Sequence, residues 1–213
     1  AGRTQTEDVK KTAEDVSNAV RGYLQHRPEK QGMIEPLSVM ADRLFLSLKK
    51  HYDDSAGGFC QAPKFPHEHD LNFLLNDYER TGDKEALAML THSLKRMAAG
   101  GIYDHVGCGF HRYAVDKEWY VPHFEKMLYT QAMLARIYTD AARITGNPWL
   151  ADIGRSILEF VLGPMTDGGG AFYAAIDAET EGVEGAYYAW SSAELQKILT
   201  PPEANFLVSL YAL

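Results

Sequence analysis

The sequence predicts an all-α fold in which αα-hairpin repeats form part of an (α/α)6 toroid, with short β-hairpins at the loop rim. Apolar residues recur at steps of three or four along most of the chain, which is typical of amphipathic helices. A unit of helix, glycine-rich loop and helix occurs three times, with loops at Gly57, Gly100 and Gly169. Their irregular spacing excludes a short-period solenoid, whereas helical hairpins of variable loop length suit a toroid.

Helix start and stop signals divide the chain into seven or eight helices. They are expected over residues 7–24, 36–48, 71–82, 83–100, 122–145 and 147–163, then from 191 and from 202 to the chain end. The longest is expected to open at Pro122. Between them, 102–121 and 170–190 alternate aromatic or β-branched residues with turn formers, which predicts two β-hairpins.

Residues 1–33 are expected to form a linker and leading helix, and 34–213 a partial toroid of about half a six-hairpin ring. Half a ring leaves apolar helix faces open to water. We therefore expect the remainder of the ring, or another copy of the chain, to cover the open edge.

The composition of the chain restricts the classes of partner that it is expected to bind. The net charge is −8, from 21 basic and 29 acidic residues, which makes nucleic acid and anionic membranes poor partners. The sequence contains no apolar run long enough for a membrane helix, and its beginning lacks an apolar signal core. The two cysteines, Cys60 and Cys108, lack metal-ligand spacing and suit a reducing, cytoplasmic location. Whether they bond to each other stays open.

The densest group of reactive side chains follows the second glycine loop. It contains His111, Arg112, Asp116, Trp119, His123, Glu125, Lys126 and Tyr129. On a helix from Pro122, His123 would lie in the first turn, where the positive helix end favours the neutral imidazole. A neutral histidine beside a carboxylate can move protons at a sugar carbon. Alternatively, the Arg, Asp, Glu and Lys side chains form a buried ion-pair network that fastens the hairpin to the helix.

An acidic segment forms the second group, with Asp177, Glu179, Glu181 and Glu184 alternating along an extended stretch. The first three are expected to point the same way. They could bind sugar hydroxyls or act as general acid or base, form salt bridges in a solvated turn, or hold calcium or magnesium. The segment does not match an EF-hand loop.

A third stretch lies between two prolines and the next helix. His67 and His69 resemble a metal pair, but a rim loop with Lys64 facing the cavity fits better. Loop aromatics could stack on sugars or simply pack the hairpins; they are Tyr103, Trp119, Tyr173, Tyr187 and Trp190. Walker, dinucleotide and nucleophile-elbow motifs are absent from the sequence, and we expect neither a cofactor nor a metal.

Four stretches together resemble one known family, the thioredoxin-domain proteins similar to spermatogenesis-associated protein 20. The stretches are Gly57-Gly58-Phe59 through Ala62-Pro63-Lys64-Phe65-Pro66, Gly101-Ile102-Tyr103-Asp104 to Gly109-Phe110-His111-Arg112-Tyr113, Trp119 through Tyr129, and Asp177-Ala178-Glu179-Thr180-Glu181-Gly182 with Glu184-Gly185. The resemblance runs from about Ile34 to Trp190. Cys60 and Cys108 stand where the family has glycine, and Thr130 where it has aspartate.

Members of that family place a thioredoxin-like domain before a six-hairpin toroid similar to N-acylglucosamine 2-epimerase and cellobiose 2-epimerase domains. The resemblance implies a carbohydrate-active domain of sugar epimerase or isomerase type. The alternative is a non-catalytic module that supports a thioredoxin-like domain. This chain has no CxxC motif of its own. In the epimerase relatives, key histidines lie in the later half of the toroid, which this chain does not include.

For the epimerase reading we expect two sets of site residues around a small, sugar-like substrate. The catalytic set is His111, His123, Glu125 and Asp177. The substrate-binding set is Lys64, Arg112, Asp116, Trp119, Lys126, Tyr129, Glu179 and Glu181.

Overall fold

The computed structural model describes residues 2–25 and 35–211. The chain divides into two compact units, Ala1–Met40 and Ala41–Leu213. The described residues form eight helices, which are α1 Gly2–Gln25, α2 Leu37–His51, α3 Glu68–Thr81, α4 Lys84–Ala99, α5 Leu128–Thr145, α6 Pro148–Leu162, α7 Ser192–Ile198 and α8 Pro201–Tyr211. The predicted mostly helical, hairpin-built fold is confirmed.

Local signals fix the helix ends. Gly82 ends α3 with a φ of 73°, and its N–H donates to the Tyr78 carbonyl at 2.7 Å. Asp83 then caps α4, because its carboxylate accepts the Glu85 N–H at 2.8 Å. Ser191 and Glu194 form the predicted capping box at the start of α7.

The core lies where α3 packs on α4 and α5, and α5 on α6. Leucines that the periodicity placed on one helix face are fully buried there, among them Leu71, Leu74, Leu90 and Leu94. Each such burial stabilises the fold by roughly 1.5–3 kcal/mol. The Tyr138 hydroxyl also donates to the Leu94 carbonyl at 2.7 Å, which joins α5 to α4 inside this core.

Six short strands pair as three separate two-stranded antiparallel sheets. The pairs are β1 Tyr113–Ala114 with β2 Pro122–His123, β3 Lys126–Met127 with β4 Ala175–Ile176, and β5 Glu179–Thr180 with β6 Val183–Glu184. The predicted hairpin regions therefore do contain β structure. The second region is not one hairpin, because β4 pairs with β3 and only β5 and β6 form a hairpin.

The predicted helix start at Pro122 is wrong, since α5 begins at Leu128. His123 pairs with Tyr113 across the β1–β2 sheet, and Lys126 pairs with Ile176 across the β3–β4 sheet. These tertiary pairings hold residues 122–123 and 126–127 extended although proline can begin a helix. His123 therefore lies on a strand and not in a helix turn.

The three glycine loops share one construction. Each begins at an aspartate, Asp53, Asp104 or Asp167, whose Oδ1 accepts two backbone N–H groups of its own loop at 2.8–3.0 Å. An isolated β-bridge closes each loop, between Tyr52 and Phe59, Tyr103 and Phe110, and Thr166 and Phe172. The repeat predicted from the glycines is therefore a repeated aspartate-anchored turn.

In the first two loops, the other oxygen of the aspartate carboxylate, Oδ2, accepts a hydrogen bond from a buried lysine. Lys64 Nζ lies 2.7 Å from Asp53 Oδ2, and Lys126 Nζ lies 2.7 Å from Asp104 Oδ2. Burial raises the pKa of Asp53, but the Ala56 N–H and Lys64 outweigh it and leave that pKa well below its usual range. The two ion pairs tie each loop to the strand region that follows it.

Gly58→Ala should destabilise the protein by about 2 kcal/mol. Gly58 has a φ of +75°, and a Cβ there would lie 2.6 Å from Cζ2 of the fully buried Trp119. Gly82→Ala is the matched control, because Gly82 has a φ of +73° with no atom near its would-be Cβ. Urea unfolding of both variants separates the overlap from the backbone penalty. Equal losses would contradict the claim that the Trp119 contact requires glycine.

Apolar side chains remain exposed on the outer elements, including Leu44 and Leu46 of α2 and Phe206 and Leu210 of α8. The predicted apolar stripe of α1 is present along one helix, and Val9, Val16 and Val20 on it are exposed. Within the described residues, no helix is both long enough and apolar enough to cross a membrane.

Candidate functional site

A row of partly exposed polar side chains crosses the loop surface and is called the polar row here; its members are Tyr129, Arg112, Glu125, His123 and Glu184. His123 Nδ1 lies 2.6 Å from Glu184 Oε1, and His123 Nε2 lies 3.9 Å from Glu125 Oε2. The same Glu125 oxygen accepts from Arg112 Nη1 at 2.9 Å. The fold thus gathers a histidine, two carboxylates and a guanidinium on one surface.

The sheets place these side chains. The β1–β2 pair sets His123 against Tyr113, and the two rings stack with centroids 4.8 Å apart. The Arg112 N–H donates to the Glu125 carbonyl at 2.9 Å, which brings their side chains together. Glu184 lies on β6, in the β5–β6 hairpin. The pKa of Arg112 is raised above its ordinary value by its hydrogen bonds to Glu125 and then Tyr129.

The His123 bonds define its chemistry. A carboxylate only accepts, so Nδ1 carries the hydrogen of the bond to Glu184. In the neutral ring Nε2 then has the free lone pair, and the 3.9 Å to Glu125 is too long for a hydrogen bond. His123 and Glu125 side chains are each 25% exposed, so a ligand can reach them.

A partly buried aromatic layer, formed by Phe124 and Tyr188, holds the buried His111 beside this row. Phe124 and Tyr188 stack at 5.2 Å, and the His111 ring meets both edge-on. His111 is only 2% exposed and its Nδ1 has no hydrogen-bond partner among the described residues. Burial and then the Lys126 charge lower the pKa of His111 to about 4. The structure therefore leaves the His111 ring almost without contact with solvent, and its expected role in moving a substrate proton stays a prediction.

A cavity of about 320 Å³ opens beside the aromatic layer. Its lining includes Asp177 and Glu179 from the acidic segment, together with Phe160, Tyr187 and Tyr188. Burial, and then Asp104, raises the pKa of Tyr188 to about 12. Glu179 lies directly opposite Glu184 in the β5–β6 pair, and opposite residues in such a pair point to the same face. The cavity and the polar row therefore adjoin through these two glutamates.

Three predicted substrate-binding residues have other roles. Lys64 is fully buried, with its ammonium bonded to Asp53 and to the Lys117 carbonyl, so the prediction that it faces a cavity is wrong. Trp119 is also fully buried, and its indole N–H donates to the Ala56 carbonyl at 2.9 Å. The Asp116 carboxylate accepts three backbone N–H groups of residues 118–121 and shapes that loop instead of meeting a ligand.

Lys126 lines the cavity but is 1% exposed. Its ammonium is bonded to Asp104 Oδ2 and to the Cys108 carbonyl at 2.8 Å, and burial lowers its pKa. Its ammonium is therefore already paired within the protein, and its expected role in binding substrate stays a prediction. The ion-pair alternative holds in part, since Lys126 and Arg112 do form pairs, but Lys126 pairs with Asp104 and not with Asp116.

The acidic segment is not one straight strand. Glu181 has a φ of +55° and, with Gly182, makes the turn between β5 and β6. The prediction that Asp177, Glu179 and Glu181 all point the same way is wrong for this reason, and Glu181 does not line the cavity. Asp177 Oδ1 accepts the Glu179 N–H at 3.1 Å.

No group of three or more His, Cys, Asp and Glu side chains in residues 2–25 and 35–211 is arranged to hold a metal ion. His67 instead lies 3.2 Å from Asp70 at the start of α3. Cys60 and Cys108 are both unpaired thiols. Each has a positive φ, 65° and 63°, which explains physically why glycine suits these two positions.

Sequence reasoning left Glu184 and Tyr188 out of the site. Glu184 was visible as the fourth acid of its segment, but only the β5–β6 turn shows that it reaches His123. Tyr188 lies within the strand-like stretch 170–190 and carries no signal that separates it from Tyr187. Tyr113, which stacks on His123, likewise looked like an ordinary strand residue.

No family model matches the chain. Spermatogenesis-associated protein 20 of Mus musculus is 45% identical over 175 residues, which are 78% of this chain and 22% of that protein. The chain thus spans about a fifth of the length of this relative. Among solved structures, a sugar epimerase from a ruminal bacterium has a TM-score of 0.57 at 17% identity, with 80% of this chain and 53% of that chain covered. Cellobiose 2-epimerase from Bacillus thermoamylovorans has a TM-score of 0.56 at 14% identity, with 81% and 54% covered.

The structural likeness confirms that the chain has the fold of part of an (α/α)6 toroid. The sequence likeness confirms the resemblance carried by the four motifs, which lie in the loops described above. Over the segment that it shares with these relatives, the chain is a homologue of spermatogenesis-associated protein 20.

Proposed function

We propose that this chain is a carbohydrate-active domain of sugar epimerase or isomerase type, with the polar row as its reacting surface. The observation that supports the proposal most directly is the arrangement around the His123 ring. Its Nδ1 lies 2.6 Å from Glu184 Oε1, whereas its Nε2 has no hydrogen bond and lies near the Glu125–Arg112 pair. The fold shared with the sugar epimerases supports it. Fold likeness alone would be a weak argument, because one fold hosts many activities.

The chemistry suits a proton transfer on an open-chain sugar. Nε2 of neutral His123 takes the proton from C2, the electrons of that C–H bond form the enediolate, and the negative charge gathers on O1. Arg112 stabilises that oxygen, while Glu184 and Glu125 stabilise the imidazolium. The imidazolium exchanges this proton with solvent before a proton returns to the enediolate. Delivery to the other face of C2, once the enediolate has turned that face toward His123, gives the epimer. Delivery to C1, with the O2 proton passing to O1, gives the ketose. Neither outcome changes the oxidation state overall.

Deuterium exchange tests this proposal. The purified protein is incubated with a panel of mono- and disaccharides in deuterated water, and NMR follows exchange at C2. We expect exchange with at least one sugar, and a loss of about 100-fold in its rate in His123→Ala. His69→Ala is the matched control, because His69 is an exposed histidine of α3 outside the row. Absence of exchange and of binding with every sugar would remove the epimerase proposal.

The second candidate is a non-catalytic module that supports a thioredoxin-like domain in the full-length relatives. The observation in its favour is that polar groups satisfy one another, as Arg112 does with Glu125 and Lys126 with Asp104. In that case His123→Ala lowers the unfolding temperature but no sugar binds to the unaltered protein. The exchange experiment therefore separates the two candidates.

We also propose that the remaining hairpins of a toroid, or another copy of the chain, cover the exposed apolar residues of α2 and α8. Coverage of 53% of the ruminal sugar epimerase supports a half-ring composition for residues 34–213. The two unpaired thiols support a cytoplasmic location.

A further inference from the structure

The cavity beside the polar row combines aromatic walls with unbalanced negative charge. Phe160, Tyr187 and Tyr188 supply the rings. Two of them already face a cation, since Lys126 Nζ lies 4.4 Å from the Phe160 ring centroid and 5.3 Å from that of Tyr188. Rings in this geometry attract positive charge through their faces.

The charges around the cavity do not cancel. Lys126 and Asp104 neutralise each other at 2.7 Å. Asp177 and Glu179 are exposed, and neither carboxylate has an ion-pair partner among the described residues. Glu179 also lies opposite Glu184 in the β5–β6 pair, where like charges destabilise the sheet. A cation bound between these acids relieves that repulsion.

Resting on the proposed function, we infer that the substrate is an amino sugar, whose ammonium group enters this cavity while the sugar carbons face His123. Glu179 and Glu184 link the two regions, so one small molecule can meet both. The volume of about 320 Å³ suits a ligand of this size. The same acids repel phosphorylated and other anionic sugars. An ammonium could also come from a lysine side chain, so the test includes one.

Calorimetric titration of the purified protein, at a pH where the amine is protonated, compares five probes: glucosamine, N-acetylglucosamine, glucose, glucose 6-phosphate and free lysine. We expect glucosamine to bind about tenfold more tightly than glucose, and glucose 6-phosphate to bind most weakly. N-acetylglucosamine, whose nitrogen is uncharged, should lose the advantage. The combined variant Asp177→Asn with Glu179→Gln should bring glucosamine down to the affinity of glucose.

Asp54→Asn with Glu85→Gln is the matched control, because it removes the same charge from exposed residues that do not line the cavity. Equal affinity for glucose and glucosamine, tighter binding of the phosphate ester, or binding of lysine without any sugar would each overturn the inference. Absence of binding by all the probes would overturn it too. Exchange at C2 of neutral sugars without an amine preference would overturn the inference and leave the proposed function intact.

Discussion

Lys64→Met is expected to lower the free energy of unfolding by about 3–4 kcal/mol. The Lys64 side chain is 0% exposed and the Asp53 side chain 13%, and their charged atoms lie 2.7 Å apart. Methionine fills a similar volume but leaves the Asp53 carboxylate without its cation and the Lys117 carbonyl without its donor. Breaking a buried pair by removing one partner destabilises strongly, because the remaining charge stays desolvated. Urea unfolding followed by circular dichroism measures the loss.

A second substitution shows where the loss originates. Asp53→Asn removes the stranded charge, yet its side-chain oxygen can still accept the Ser55 and Ala56 N–H groups that close the loop. The double variant Lys64→Met with Asp53→Asn should therefore recover part of the stability that Lys64→Met alone loses. Lys49→Met is the surface control, since the Lys49–Glu85 pair is about half exposed on both sides and contributes little. A Lys64→Met protein as stable as Lys49→Met would contradict the buried-pair explanation.

The sequence reveals the helices because their signals are local. Apolar steps of three or four, a glycine after Thr81 and an aspartate before Lys84 all act within a few residues of the helix they define. The two short strands β2 and β3 could not be predicted in the same way. Their extended backbone depends on pairing partners at Tyr113 and Ile176, and no signal within residues 122–127 identifies those partners.

The site was predictable in composition but not in arrangement. His123, Glu125 and Arg112 were identified from their density in one stretch, whereas the Glu184 contact crosses 61 residues of sequence. The buried lysines are a harder case. Lys64 follows its aspartate by 11 residues and Lys126 by 22, so no fixed spacing separates an anchoring lysine from one that could bind substrate.

His111 makes the stability of the fold depend on pH in a defined window. Its ring is 2% exposed, and its pKa falls from 6.5 to about 4, first because of burial and then because of the Lys126 charge. Between pH 6.5 and about 4, His111 therefore binds a proton in the unfolded chain but not in the folded chain. The free energy of unfolding therefore has its full value above pH 6.5. It decreases as the pH falls toward 4, by about 3 kcal/mol in total.

Urea unfolding at several pH values between 7 and 4 tests this dependence. His111→Phe is the variant that removes the titrating group but keeps an aromatic ring edge-on to Phe124 and Tyr188. The variant should lose most of the decline in stability across the window. His51→Gln, at an exposed histidine of α2, should keep it. Asp53 and Asp104 do not account for this decline. Their pKa values are lowered in the fold, so the stability that they contribute is lost only at more acidic pH. A His111→Phe protein whose stability declines as steeply as that of the unaltered protein would show that other groups cause the decline.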